Sequence, residues 1–357
     1  MAEATAHRDM RDTGDTASER QRRARPFVAA WLIAIAGLIL AMVVVGGATR
    51  LTDSGLSITE WQPLLGAIPP LSETAWHDAF EKYRQIPQYR ILNKGMSLEE
   101  FQFIYWWEWA HRFLGRFVGL AFFVPFVFFL STGRLERRFV PHLAALFVLG
   151  GLQGALGWFM VMSGLTERTS VSQYRLAAHM GLAVALFGYV WWMALQIGRE
   201  ARGALAGNAT ARRAVLLAGA IYLQVILGAF VAGLDAGMGY NTWPLMDGAL
   251  VPGGLFVMSP WWINLFENAM TVQFDHRVLA YLIAALALVH WGLSGREGRG
   301  AGGAAAILLI VLAQAGLGIW TLLAQVPLAL GLLHQAGAMV LFAAALWHVH
   351  TVSGARP

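Results

Sequence analysis

FVAAWLIAIAGLILAMVVVGGA, residues 27–48, holds no charged side chain and no proline. At about 1.5 Å per residue it makes a helix roughly 33 Å long. The hydrocarbon core of a bilayer is about 30 Å thick and takes about 20 apolar residues to cross. The stretch therefore reads as a membrane span, and seven more follow at 104–130, 140–162, 172–197, 212–234, 272–293, 303–324 and 330–350. Strands of a membrane barrel would leave weaker alternating segments of about ten residues. The expected fold class is thus an all-α integral membrane protein with eight transmembrane helices. Composition agrees, with 57% hydrophobic and only 13% charged residues, where soluble domains carry about a quarter charged.

The net charge of +5 gains its meaning from position. Arg8, Arg11, Arg20, Arg22, Arg23 and Arg25 precede the first span. Arg134, Arg137 and Arg138 follow the second, Arg199, Arg202, Arg212 and Arg213 the fourth, and Arg296 and Arg299 the sixth. The 235–270 and 325–329 loops have no Lys or Arg. The positive-inside rule then puts both termini in the cytoplasm and makes these patches topology signals facing membrane lipid, not nucleic-acid sites. The first 26 residues carry Glu3, Asp9, Asp12, Asp15 and Glu19, unlike an acid-poor mitochondrial transit peptide, and the apolar run after them is too long for a cleavable signal. The expected location is a bacterial inner membrane. Cysteine is absent, which excludes disulfides, iron–sulfur ligation, thiolate-ligated heme and covalent heme attachment.

The chain repeats itself. Gly46, Asp53, Gly55, Trp61, Gly66 and Pro70 return at one constant offset as Gly228, Asp235, Gly237, Trp243, Gly248 and Pro252. The second and sixth spans share His111-Arg112 and His276-Arg277, and the fourth and eighth carry His179 and His334. A Gln-x-x-x-Gly phrase occurs at Gln153–Gly157, Gln224–Gly228 and Gln314–Gly318. Two pseudo-symmetric four-helix bundles are expected: a tail at 1–26, one half at 27–198, a linker at 199–211 and a second half at 212–352. Small residues four apart, such as Gly150–Gly154 and Gly233–Gly237, read first as places where helix backbones approach closely, and the fifteen tryptophans as interface belts.

The repeat sorts the ten histidines. His111, His179, His276 and His334 are matched, each within about two turns of the outer end of an even-numbered span, so they share a level. His142, His290, His348 and His350 fall near the cytoplasmic ends, where hydration is cheap. Ionisable groups inside a span are functional by default. Zinc usually draws on Cys or carboxylate as well, whereas paired imidazoles from separate helices suit a macrocycle in a bundle core. Two bis-histidine heme sites follow, with His111, His179, His276 and His334 as the metal ligands. Arg50, Arg112, Arg175 and Arg277 lie near the same level and match heme propionates, against the alternative of snorkelling to headgroups.

The halves differ around these ligands. Glu108 stands three residues before His111, on the same helical face, and Gln273 takes that place before His276. Glu108 is the candidate acid–base group; pairing with Arg112 is the structural alternative. A symmetric pair of hemes would instead suit a diheme electron-transfer cytochrome, such as a quinol or ferric reductase module.

The phrases Glu-Trp-Ala-His-Arg at 108–112, Val-Ser-Gln-Tyr-Arg-Leu-Ala-Ala-His at 171–179, Tyr-Asn-Thr-Trp-Pro-Leu-Met-Asp-Gly at 240–248 and the run from Asn264 to Arg277 make the chain, from about 27 to 350, resemble heme A synthases of the branch shared by alphaproteobacteria and mitochondria. The resemblance implies oxidation of the heme O C8 methyl to the formyl of heme A by successive hydroxylations. It also implies a resident heme b on His276 and His334, substrate heme O and product heme A between His111 and His179, and an essential glutamate at Glu108. Heme O synthase, an electron donor of unassigned identity and a second copy of the chain are the candidate partners. Some members of that family carry a cysteine pair in an outer loop; this chain cannot use one.

Overall fold

A backbone N–H or C=O left unpaired in lipid costs several kcal/mol, and only a helix pairs them all within one segment. The computed structural model, which describes residues 17–62, 65–166, 168–198 and 208–353, turns each apolar run into such a helix. The eight spans are Ala17–Leu51, Leu98–Ser131, Val140–Thr166, Gln173–Gly198, Ala209–Gly233, Ala269–Arg296, Ala301–Leu323 and Leu328–Ser353. Among the described residues no β-strand occurs, only an isolated bridge between Met246 and Ala249. Arg8, Arg11, Arg199 and Arg202, and most of the expected 199–211 linker, lie outside the described residues.

Two spans begin well before the apolar pattern indicates, at Ala17 and Leu98. The first starts at Ala17, inside the expected tail, and Arg25 on this extension pairs with Glu136 at 2.7 Å. The second starts at Leu98, where Ser97 and Glu100 form a reciprocal capping box. His111 is therefore thirteen residues into its helix, while His179, His276 and His334 keep to the first two turns of theirs.

Neighbouring spans pack in a closed order. The first packs on the second, the second on the third, the third on the fourth and the fourth back on the first. The last four close in the same way, fifth to sixth, seventh, eighth and back to fifth. Between the two rings the contacts are fourth on fifth, first on eighth and fourth on eighth. Glycine makes this seam possible: a Cβ on Gly47 would lie 1.9 Å from Gln335 Oε1, and one on Gly233 2.8 Å from the Gln173 backbone. The fourth span is accordingly the most covered, with 44% of its apolar window buried against 11% for the second and third.

Both long connections lie at the end away from the described chain ends. The one between the first and second spans folds into helices at Glu73–Tyr83 and Pro87–Ile91. Leu56, Phe80, Tyr83, Ile86 and Tyr89 form a core there with Phe101, Ile104 and Tyr105 of the second span. The Tyr83 hydroxyl is buried in it, which pushes its pKa up to about 12. The 235–268 connection has only single turns, at Ala236–Gly239, Trp261–Ile263 and Asn264–Glu267.

At the opposite end, Glu297 accepts hydrogen bonds from Thr210 and, at 2.8 Å, from Arg213, tying the sixth span to the fifth. The Arg213 guanidinium first, and the Thr210 hydroxyl with it, hold the Glu297 carboxyl below its ordinary value of 4.5. A depressed folded pKa gives stability that is present above the unfolded value and lost as pH falls through the folded one. Detergent-solubilised protein carrying Glu297→Gln is expected to melt below the wild type at pH 7, with the gap closing at pH below the ordinary carboxylate range. A gap independent of pH would exclude the ion pair as its source.

Candidate functional site

The four matched histidines share one local construction. Each imidazole lies with Cε1 against a glycine of the preceding span: His111 on Gly46, His179 on Gly157, His276 on Gly228 and His334 on Gly318. A Cβ on those glycines would sit 2.7, 2.9, 3.2 and 2.7 Å from the four rings, so only hydrogen fits at three of them without a shift. His111 and His179 belong to one ring of spans, and His276 and His334 to the other. Each pair comes from spans two apart in the packing order, second with fourth and sixth with eighth. Among the described residues no three of His, Asp and Glu converge as ion ligands.

Glutamine accompanies three of the rings. Gln153, Gln224 and Gln314 place their amide nitrogens 3.2, 3.1 and 3.1 Å from Nδ1 of His179, His276 and His334. The same nitrogens donate to the backbone oxygens of those histidines at 3.0, 2.9 and 2.7 Å. The reading of small-residue phrases as backbone contacts holds at Gly233, but a Cβ on Gly150 or Gly154 would meet nothing within 4 Å. The Gln-x-x-x-Gly phrases serve the imidazoles instead, Gln on one turn and Gly on the next. Their recurrence one span before a matched histidine was the available signal.

Glu108 is 2% exposed and fully engaged. Its Oε2 accepts from the Ser57 hydroxyl and the Ile58 N–H, both at 2.8 Å. Its Oε1 accepts from Arg112, Nη2 at 2.6 Å and Nε at 3.1 Å. Arg112 also donates to the backbone oxygens of Ile58 and Glu60. Gln273 occupies the same place with inverted polarity: its Nε2 donates to the oxygens of Ala236 and Tyr240, and its Oε1 accepts from Arg277 at 3.0 Å. The loop around Ser57 offers donors to a carboxylate, and the loop around Tyr240 offers acceptors to an amide.

The remaining arginines are placed unequally. Arg277 is half-buried, and among the described residues its buried Nε and Nη1 have no partner. Arg50 bridges the halves, on Asp53 at 3.2 Å and Asp235 at 2.8 Å. Burial raises the Asp53 pKa, with Arg50 opposing it. Arg175 donates to the Phe159 oxygen and lies 3.7 Å over that ring. A cavity of about 270 Å³ opens beside Arg112, lined among others by Ser57, Glu60, Lys82, Tyr105 and Arg116.

One expectation is overturned. His290, His348 and His350 are not hydrated but 2%, 1% and 6% exposed. His290 and His348 meet Nε2 to Nε2 at 2.9 Å, and Gly303 leaves room for the His348 ring, which a Cβ there would approach to 2.4 Å. His142 alone of that group is exposed, against the Tyr189 hydroxyl at 2.7 Å.

The chain has relatives that match almost its whole length. The protein named heme A synthase of Parvibaculum lavamentivorans is 59% identical over 328 residues, covering 91% of this chain and 94% of its own. That of Azorhizobium caulinodans is 56% identical, covering 90% and 93%, and that of Nitrosospira multiformis 51%, covering 90% and 92%. The profile of the cytochrome oxidase assembly proteins, COX15-CtaA, matches residues 29–346, and with three quarters and more of its length so matched the chain belongs to that family.

Proposed function

We propose that this protein is a heme A synthase, an oxidoreductase that converts the C8 methyl group of heme O to a formyl group by successive hydroxylations. The observation that carries this reading is Glu108: a buried carboxylate beside one imidazole pair, with an amide in its place beside the other. An electron-transfer cytochrome has no use for that difference. The similarity to proteins named heme A synthase supports the same conclusion.

The residues fit the hemes this requires. Two imidazoles per half, each on a Cβ-free glycine, form a donor set suited to a flat macrocycle. The unpartnered Nε and Nη1 of Arg277 are buried donors suited to a propionate. In this reading His276 and His334, within the 212–352 half, hold a resident heme b, which supplies one-electron redox chemistry. His111 and His179, within the 27–198 half, flank the substrate heme O. Arg50 and Arg175 would be further partners for the propionates. Arg112 belongs there too, although its donors go first to Glu108 and the Ser57–Glu60 loop.

The chain's own contribution centres on Glu108. Ser57, Ile58 and Arg112 fix both of its oxygens, so its negative charge has one orientation. Oxidising a methyl group leaves electron-poor carbon and releases protons; Oε1 or Oε2 can stabilise the first or accept the second. The cavity beside Arg112 gives water a route to this end of the bundle. We place both chain ends in the cytoplasm of a bacterial inner membrane, with heme O synthase upstream, an electron donor and a second copy of the chain as partners.

The test is expression in a host that makes heme O but no heme A, with the extracted hemes identified by mass. Heme A or its hydroxylated precursor is expected. An unchanged mixture of heme b and heme O would replace this function with electron transfer.

A further inference from the structure

Three of the four imidazoles are held by a glutamine and one is not. Gln224 stands four residues before Gly228, as Gln153 does before Gly157 and Gln314 before Gly318; four residues before Gly46 the chain has Met42. The consequence is visible at the ring: among the described residues, His111 Nδ1 is a buried nitrogen without a partner. The other three Nδ1 atoms each lie 3.1–3.2 Å from an amide.

An imidazole that binds iron must hold one ring orientation, and the outer-shell groups that touch the ring help to set it. Each glutamine nitrogen donates to the backbone oxygen of its own histidine while lying against the ring, 3.1–3.4 Å from both ring nitrogens at His179 and His276, so the ring is held between an amide and a glycine. A thioether has no N–H to donate to that oxygen and cannot substitute. We propose that Gln153, Gln224 and Gln314 are positioning residues that orient His179, His276 and His334 toward heme iron, and that Met42 leaves His111 the weak ligand that lets heme go. A resident heme between His276 and His334 is thus held on both sides. A heme between His111 and His179 is held on one, which suits a molecule that must enter as substrate and leave as product. This inference rests on the heme reading above.

The two hemes differ in mass, so one experiment follows both. Purified protein loaded with heme b and heme O is mixed with excess heme-free myoglobin, and the transferred hemes are identified over time. The wild type is expected to release heme O faster than heme b. Loss of an outer-shell partner typically changes metal affinity by about 10- to 100-fold. Met42→Gln should slow heme O release by about that factor and sharpen the low-spin spectrum of that heme. Gln224→Leu should speed heme b release by a similar factor, and Gln224→Glu, which keeps the length but sets an oxygen against the His276 carbonyl, should do the same. An unchanged heme O release rate in Met42→Gln overturns the proposal; if that variant does not fold, an unchanged heme b release rate in Gln224→Leu does so. His276→Ala separates the two levels of inference. If that variant keeps its heme b, the heme reading itself fails. If it loses heme b while the Gln224 variants behave as wild type, only the role of the glutamines fails.

Discussion

Protein carrying Glu108→Gln is expected to keep its heme b and to accumulate heme O or a hydroxylated intermediate, with oxidation slowed about 10²- to 10⁴-fold, the usual cost of removing a general acid–base group. The change preserves shape and removes ionisation. Its surroundings make the loss severe: Ser57 and Ile58 donate to one oxygen of Glu108 and Arg112 donates twice to the other. A glutamine has one carbonyl to offer, so its NH₂ must face either the Arg112 guanidinium or the Ser57–Ile58 donors. Gln273 meets no such conflict, because the loop beside it presents the oxygens of Ala236 and Tyr240. Heme b content and melting temperature serve as controls for folding, and heme composition by mass is the readout. Near-normal heme A output would make Glu108 a structural partner of Arg112 and reopen the electron-transfer reading.

His276→Ala and His334→Ala are each expected to lose nearly all low-spin heme b, and with it all product. An axial imidazole is the bond itself, and the rings of these two residues fill pockets that Gly228 and Gly318 leave open. Alanine would leave both the iron and the glycine surface without a neighbour. His111→Ala and His179→Ala should separate cleanly from them, keeping heme b but failing to retain heme O. The measurement is the reduced-minus-oxidised absorption spectrum combined with heme extraction. Full low-spin heme b in both the His276 and His334 variants would remove them as its ligands.

The spans were legible because length and apolarity alone decide them; their ends were not. Residues 98–103 are too polar to read as lipid-embedded, and the capping box that starts the second span there is a local signal independent of hydropathy. The four matched histidines stood out through the repeat, and the structure lays each on a glycine, which sequence offsets could not reveal. The glutamines were seen only as part of a repeated phrase with no role attached, since a Gly at a helix contact and a Gly under a ring look identical in a sequence. His290 and His348 were misread for a different reason. Distance from the helix end suggested water, but the fifth to eighth spans still pack around that level, with Ala287, Ala304 and Ala345 at 0–1% exposure beside them.

The His290–His348 contact has a consequence for how ready each half is for its cofactor. These residues stand fourteen positions after His276 and His334, about four helical turns, so the sixth and eighth spans are latched to each other at the far end by an imidazole pair. Fourteen positions after His111 and His179 come Pro125 and Met193, which can form no such latch. Binding demands that mobile groups be ordered, and preorganisation removes part of that demand. The second half therefore presents its two ligand-bearing helices at a spacing already set before any heme arrives. On the proposed assignment, that difference suits a permanent tenant in the second half and traffic in the first.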